Sequence, residues 1–148
     1  MSTTVRPLGE KDFFAWLGLF EGYSAFYESE LTDQKALQVW SWIIDAHNDL
    51  AGAVAVNDAG DFVGFAHYRI VPRTLRGERA LFLDDLFVAE EARRQGVGSL
   101  LMDFAKVYAR QHQLGQIQLV TAADNNTAQA LYDQVGTRTD WVTYEIDV

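Results

Sequence analysis

Cysteine is absent from the 148 residues, so disulfides, a cysteine nucleophile and thiolate metal ligation are all closed to this chain. Its absence fits a reducing compartment. Proline occurs only at Pro7 and Pro72, and no Pro-, Gly- or Ser-rich stretch marks a linker, a repeat or low complexity. No apolar run approaches the roughly 18 to 20 residues needed to cross a bilayer, and "MSTTVRPLGEKDFF" lacks a basic stretch followed by an apolar core. Cations are scarce as well, with 12 Lys and Arg against 21 Asp and Glu and a net charge of -9. That balance argues against duplex nucleic acid, which is bound through cationic contacts to phosphate, and favours a cationic small partner. The expectation is one cytoplasmic domain over residues 1–148 with no membrane partner, long enough to bury a core unaided.

What is present is a regular alternation of patterns. "TTVRPL" reads as a short strand, Glu10 to Tyr27 as a helix with Phe13, Leu17, Phe20 and Ser24 on one stripe, and Asp33 to Ala46 as a second helix capped by Thr32 or Asp33. "AGAVAVND" and "AGDFVGFAHYRIV" form two strands about the turn "NDAGD", and "ALFLDDLFV" is a third. A helix follows from Gly96 to Gly115, with Val97, Leu100, Leu101, Phe104, Val107 and Tyr108 at helical spacing. Then come a strand over 116–122, a helix ended by Gly136, and an alternating terminal strand "WVTYEIDV". The order β-α-α-β-β-β-α-β-α-β predicts an α/β (α+β) fold: a mixed, mostly antiparallel sheet with helices on both faces.

"ARRQGVGS" lies between a strand and a helix, where Gly96 and Gly98 let the backbone approach a ligand and the helix N-terminus adds partial positive charge. A Walker loop would need a lysine before Ser99, and a dinucleotide fingerprint would need a small residue where Leu101 stands. A third pattern, R-x-x-G-x-G, is filled by Arg93, Gly96 and Gly98. Farther on, "DNNTAQALYDQVG" places Asn125 and Tyr132 within roughly 20° of one helical face, about two turns apart, with Ala128 leaving a gap between them. An amide, a gap and a phenol suit a thin extended ligand.

Together these two segments resemble the acetyl-CoA signature of the GNAT N-acetyltransferase superfamily, most closely its small-amine and diamine (spermidine/spermine-type) branch, whose strand carries a Glu-Asp pair where this chain has Asp84 and Asp85. The resemblance spans the whole order of elements and is specific from Leu81 to Gly136. Many relatives carry phenylalanine after the closing glycine, and here it is Thr137. The resemblance implies direct transfer of acetyl from acetyl-CoA to a primary amine in a ternary complex, without a metal. Leu86, Phe87 and Val88 would present backbone to the pantetheine arm, and the amide of Val88 or its neighbour would meet the acetyl carbonyl. Arg93, Arg94, Gln95, Gly96, Val97, Gly98 and Ser99 would hold the pyrophosphate, Asn125 and Ala128 the pantetheine, and Tyr132 would protonate the departing thiolate. A phenol near pKa 10 beside a thiol near 8.5 can keep its proton for that step.

An alkylamine arrives as ammonium and must lose a proton, which a carboxylate can take directly or through water. Asp84 is the first candidate base and Asp85 the second. Strict alternation puts Asp84 with Phe82, Leu86 and Val88 and Asp85 on the opposite face; a bulge, common in the family at this strand, would change that. A buried ion pair or a loop cap competes with the catalytic role for either residue. His67 is a further candidate base, weighed against a hydrogen-bonded core histidine. The resemblance places the acceptor beside the first two helices, where Tyr23, Tyr27, Glu28 and Glu30 offer aromatic faces and carboxylates to a cation: a polyamine, a diamine or the amine of an amino acid. A protein lysine or N-terminus, and a non-catalytic acetyl-CoA sensor, are the alternatives. By analogy with relatives, "WVTYEIDV" would pair with a second chain in a homodimer.

Overall fold

The computed structural model describes residues 2–48 and 50–148. Period-two alternation between residues 50 and 88 yields three antiparallel strands, β2 (Leu50–Asn57), β3 (Phe62–Arg73) and β4 (Glu78–Val88). Asn57 makes the first turn by accepting from the amides of Ala59 and Asp61, with Gly60 left-handed at φ 84°. β1 (Thr3–Pro7) adds antiparallel to β2, while β5 (Ile117–Leu119) pairs in parallel with β4 and closes the order β1-β2-β3-β4-β5. A parallel neighbour needs a crossover, and α3 (Val97–Gln111) supplies it.

Both faces of the sheet are covered. On one, Ala53, Ala66, Tyr68, Leu81 and Leu83 meet Val97, Leu101, Met102 and Ala105 of α3. On the other, Val54 and Phe65 meet Leu19 of α1 (Phe13–Phe26), with α2 (Asp33–Ile44) beside it. Thr32 caps α2 by accepting the Lys35 amide at 3.2 Å. The mixed, mostly antiparallel sheet between helices is the expected fold class.

Several details differ from the sequence reading. The first helix starts with a 3-10 turn over Glu10–Asp12, where Asp12 is held by Arg6 and the Gly9 amide. Its most buried side chains are Trp16 and Leu19; of the predicted stripe Ser24 is buried, while Phe13, Leu17 and Phe20 are half-buried. In α3, Leu100 and Val107 face solvent because the seam runs along Val97, Leu101, Ala105 and Ala109. The strand predicted over 116–122 is only three residues long, because β4 bends away from it beyond Leu83. The terminal strand over 141–148 does not form: Trp141, Val142, Tyr144 and Ile146 are each at least 75% exposed, and the segment pairs with neither outer strand of the sheet, β1 or β5. Alternation marks a segment fit to be a strand, but only a neighbouring edge makes it one.

Candidate active site

The acidic pair sits where the ladder breaks. Along β3 and β4, His67 faces Asp85 and Tyr68 faces Leu83, so Asp84 is an extra, unmatched residue. Such a bulge re-aims side chains, and here it brings both aspartates to the face of His67 and Arg69, overriding strict alternation. Arg69 Nε donates to both oxygens of Asp84, at 3.2 and 2.9 Å, and lays its guanidinium over the Phe82 ring. Burial pushes the Asp84 carboxyl up, against the pull of Arg69. Asp85 is differently held: Tyr23 Oη donates to its Oδ1 at 2.6 Å and His67 Nδ1 lies 2.9 Å from its Oδ2. Burial pushes this carboxyl up too, but the bonds from His67 and Tyr23 win and hold it below the usual carboxylate range. Asp84 therefore sits in an ion pair with Arg69, and Asp85 in the network with α1.

The bulge also opens the sheet. β4 pairs with β5 over Leu81, Phe82 and Leu83 alone, so from Asp84 to Val88 its outer edge has no strand partner among the described residues. Alternate amides and carbonyls of that edge are available to an extended ligand. α1 and α4 (Asn126–Val135) meet across the opening, where Asn125 Nδ2 donates to Tyr27 Oη at 3.2 Å. Asn125 is the N-cap of α4, with its Oδ1 accepting the Ala128 amide, rather than a residue within the helix. Tyr132, two turns on, is pushed up to about 12 by burial and then by Tyr27. Tyr23 is also raised, by burial first and then by Asp85, with Tyr27 and Tyr132 adding to it. Three phenols thus gather beside the free edge, and those of Tyr23 and Tyr132 are both held above the ordinary tyrosine value.

The glycine turn follows directly. Arg94 (φ 65°) and Gly96 (φ 80°) both adopt left-handed backbone, which turns successive amides toward one concave side before the first turn of α3 adds its own unpaired N–H groups. Gly96 has the residue type for that conformation, whereas at Arg94 it costs about 1–2 kcal/mol. Gln95 and Ser99 are exposed on the loop and first turn, and Val97 is buried under it. Gly98 has a packing role: a Cβ there would stand 3.2 Å from Leu131 of α4. Arg93 turns back onto β4, with Nε donating to the Val88 carbonyl at 3.1 Å and its guanidinium over Phe26 and Phe87. The free edge and the amide cradle fit the pantetheine and pyrophosphate of acetyl-CoA.

Between α1 and α2 lies a cavity of about 660 Å³ lined by Phe20, Tyr23, Tyr27, Glu30, Lys35 and Trp42. Tyr23 both lines it and bonds Asp85, so the carboxylate lies behind the wall, one side chain from the cavity. Glu28 does not line it; the residue ends α1 with φ 54° and faces solvent. Sequence reading missed Lys35 and Trp42. Leu31, Gln34, Gln38 and Trp42 recur at helical spacing on the second helix, and that was the signal. Among the described residues no group of three His, Cys, Asp or Glu side chains could hold a metal, and no helix is long and apolar enough to cross a membrane.

Comparison with known proteins agrees with this architecture. Residues 16–137 match the model of the Acetyltransferase (GNAT) family. A D-amino-acid N-acetyltransferase of Saccharomyces cerevisiae is 35% identical over 144 residues, covering 95% of this chain and 88% of the relative. The ribosomal-protein-alanine N-acetyltransferase of Brucella melitensis biovar Abortus has a similar structure (TM-score 0.84, 20% identity, 100% of both chains). So does AAC(6')-Iy in complex with a bisubstrate analog, CoA-S-monomethyl-acetylneamine (TM-score 0.86, 20% identity, 100% of this chain and 99% of that one).

Proposed function

The chain belongs to the GNAT acetyltransferase family and is an acetyl-CoA-dependent N-acetyltransferase, and from that premise we propose that it acetylates the primary amine of a small molecule whose amine arrives as a cation. The carrying observation is the position of Asp85 on the free edge of β4, bonded to Tyr23, which lines an aromatic cavity. Acetyl-CoA supplies an activated thioester. Tyr23, Tyr27 and Trp42 offer ring faces to the cation, and Asp85 attracts it and takes its proton, directly or through water. The Val88 amide or its neighbour stabilises the carbonyl oxygen as negative charge develops, and Tyr132 donates to the leaving thiolate. The amides from Arg94 to Ser99 hold the pyrophosphate, and Arg93 fixes the end of β4.

Among diamines, polyamines and amino acids, an amino acid has the most support. Lys35 and Glu30 share the cavity, so an acceptor bearing both charges finds a partner for each, and a 35% identical relative is a D-amino-acid N-acetyltransferase. The test is release of CoA from acetyl-CoA with a panel of D- and L-amino acids, spermidine, putrescine and lysine-rich peptides. Amino acids are expected to turn over fastest and peptides slowest. Turnover of peptides alone, or of nothing, would overturn the reading.

The acidic composition and these partners accord with a cytoplasmic protein. We also read the protein as a homodimer joined through residues 141–148. The exposed segment carries Glu145 and Asp147, while a groove of about 810 Å³ beside β5 is lined by Arg73, Lys106, Arg110 and Arg138 together with Asp133 and with Trp141 and Thr143 of the segment itself. Light scattering is expected to give twice the chain mass, falling to one chain for a Tyr144→Asp, Ile146→Asp variant.

A further inference from the structure

His67 lies in the middle of β3, 1% exposed, with both ring nitrogens occupied. Its Nε2 accepts the indole N–H of Trp16 at 3.0 Å. An indole nitrogen can only donate, so Nε2 presents a lone pair and the single proton of the neutral ring sits on Nδ1. That proton is directed at Asp85 Oδ2, 2.9 Å away. Trp16 is 0% exposed and packed at 4.9 Å between the rings of Phe20 and Trp40, so the donor is fixed. Gly52 of β2 lies against the ring edge: a Cβ there would come within 3.5 Å of His67 Cδ2 and 2.6 Å of Leu8.

We propose that Trp16 and His67 are positioning residues: Trp16 selects the Nδ1–H tautomer of His67, and His67 thereby aims the Asp85 carboxylate as a proton acceptor behind Tyr23 of the acceptor cavity. The other tautomer would set a lone pair against a carboxylate oxygen, and the buried acid would have to take a proton to make a bond at all. Asp85 would then be a donor, unable to accept from an ammonium. The groups that face this pair are few in kind. Tyr23 of α1 donates to Asp85 Oδ1, with the Tyr27 and Tyr132 phenols behind it. On the sheet, Asp84 adds a neighbouring negative charge that Arg69 offsets. The inference rests on Asp85 being the proton acceptor, but its placement of the proton can be read without turnover.

Ring ¹⁵N and side-chain carboxyl ¹³C spectra of the native protein and of His67→Leu, His67→Asn and Trp16→Phe provide the test. In the native protein Nδ1 is expected to carry the proton and Nε2 to be bare. His67→Leu should raise the Asp85 midpoint and carry the acid limb of the kcat profile up with it, while kcat at neutral pH changes little. His67→Asn sets an amide N–H near the place of Nδ1 and should restore both. Trp16→Phe should let the ring exchange between tautomers. A native ring protonated on Nε2, or an unmoved Asp85 midpoint in His67→Leu, would overturn the inference. Should that variant fail to fold, the native ring spectrum alone decides the tautomer. A raised midpoint in an enzyme that acetylates no amine would uphold the positioning role and instead count against the proposed function.

Discussion

Tyr132→Phe is expected to lower kcat by about two to three orders of magnitude while leaving the Kd for CoA within a few-fold of native. The substitution removes one oxygen and keeps the ring, which packs against the α3-side core, so the fold has no reason to change. What is lost is a proton that burial and Tyr27 keep on the phenol up to about pH 12. A departing thiolate is a fair leaving group even without help, and this sets the loss toward the lower part of the range for general acids. The size of the loss should also depend on the leaving group. With an acetyl thioester of a more acidic thiol, Tyr132→Phe and native enzyme should converge, since a stable thiolate needs no donor. Single-turnover rates with both thioesters measure this, and a native-like kcat for Tyr132→Phe with acetyl-CoA would remove the phenol from the mechanism.

The parts of this molecule governed by local rules were legible in the sequence. Gly96 announced a left-handed turn ahead of α3, Thr32 a helix cap, Asn57 and Gly60 a hairpin turn, and all of these depend on residues within a few positions of one another. The spacing of Asn125 and Tyr132 was equally local, although Asn125 proved to cap α4 and reach across to Tyr27. Sequence placed Asp84 before Asp85 as the candidate base, an order that no local rule supports. Their surroundings are decided by one unmatched residue in the β3 and β4 ladder, and by Tyr23, 62 positions away from Asp85 in the chain. Trp16 and His67 are 51 positions apart, and no periodicity links them. The terminal segment fails for the opposite reason: its alternation is clear, but it stays unpaired although the outer strands β1 and β5 lie in its own chain.

Exchanging each aspartate for asparagine separates the two roles. Asp85→Asn is expected to lower kcat/KM at pH 7 by about two to four orders of magnitude, and Asp84→Asn by no more than about threefold. Asp84 spends its charge on Arg69 at the sheet surface, and its amide replacement can still accept from Nε. Asp85 lies between Tyr23 and His67, where its carboxyl is held below the usual range, so it is ionised at every pH at which the enzyme would be assayed. A base this weak takes the ammonium proton uphill, directly or through water, and the transfer is drawn forward as the freed lone pair attacks the acetyl carbon; until then the carboxylate holds the cation. Two pH effects follow. For stability, a depressed folded pKa means that the contribution of Asp85 is fully present above its unfolded value near 3.9 and is lost as pH falls through the folded value. For activity, the deficit of Asp85→Asn should shrink as pH approaches the pKa of the amine, because the substrate then arrives already deprotonated. Profiles of kcat/KM from pH 6 to 10 for both variants measure this. A deficit of equal size at every pH would mean that Asp85 holds the acceptor without moving its proton, and a larger loss in Asp84→Asn would exchange the two assignments.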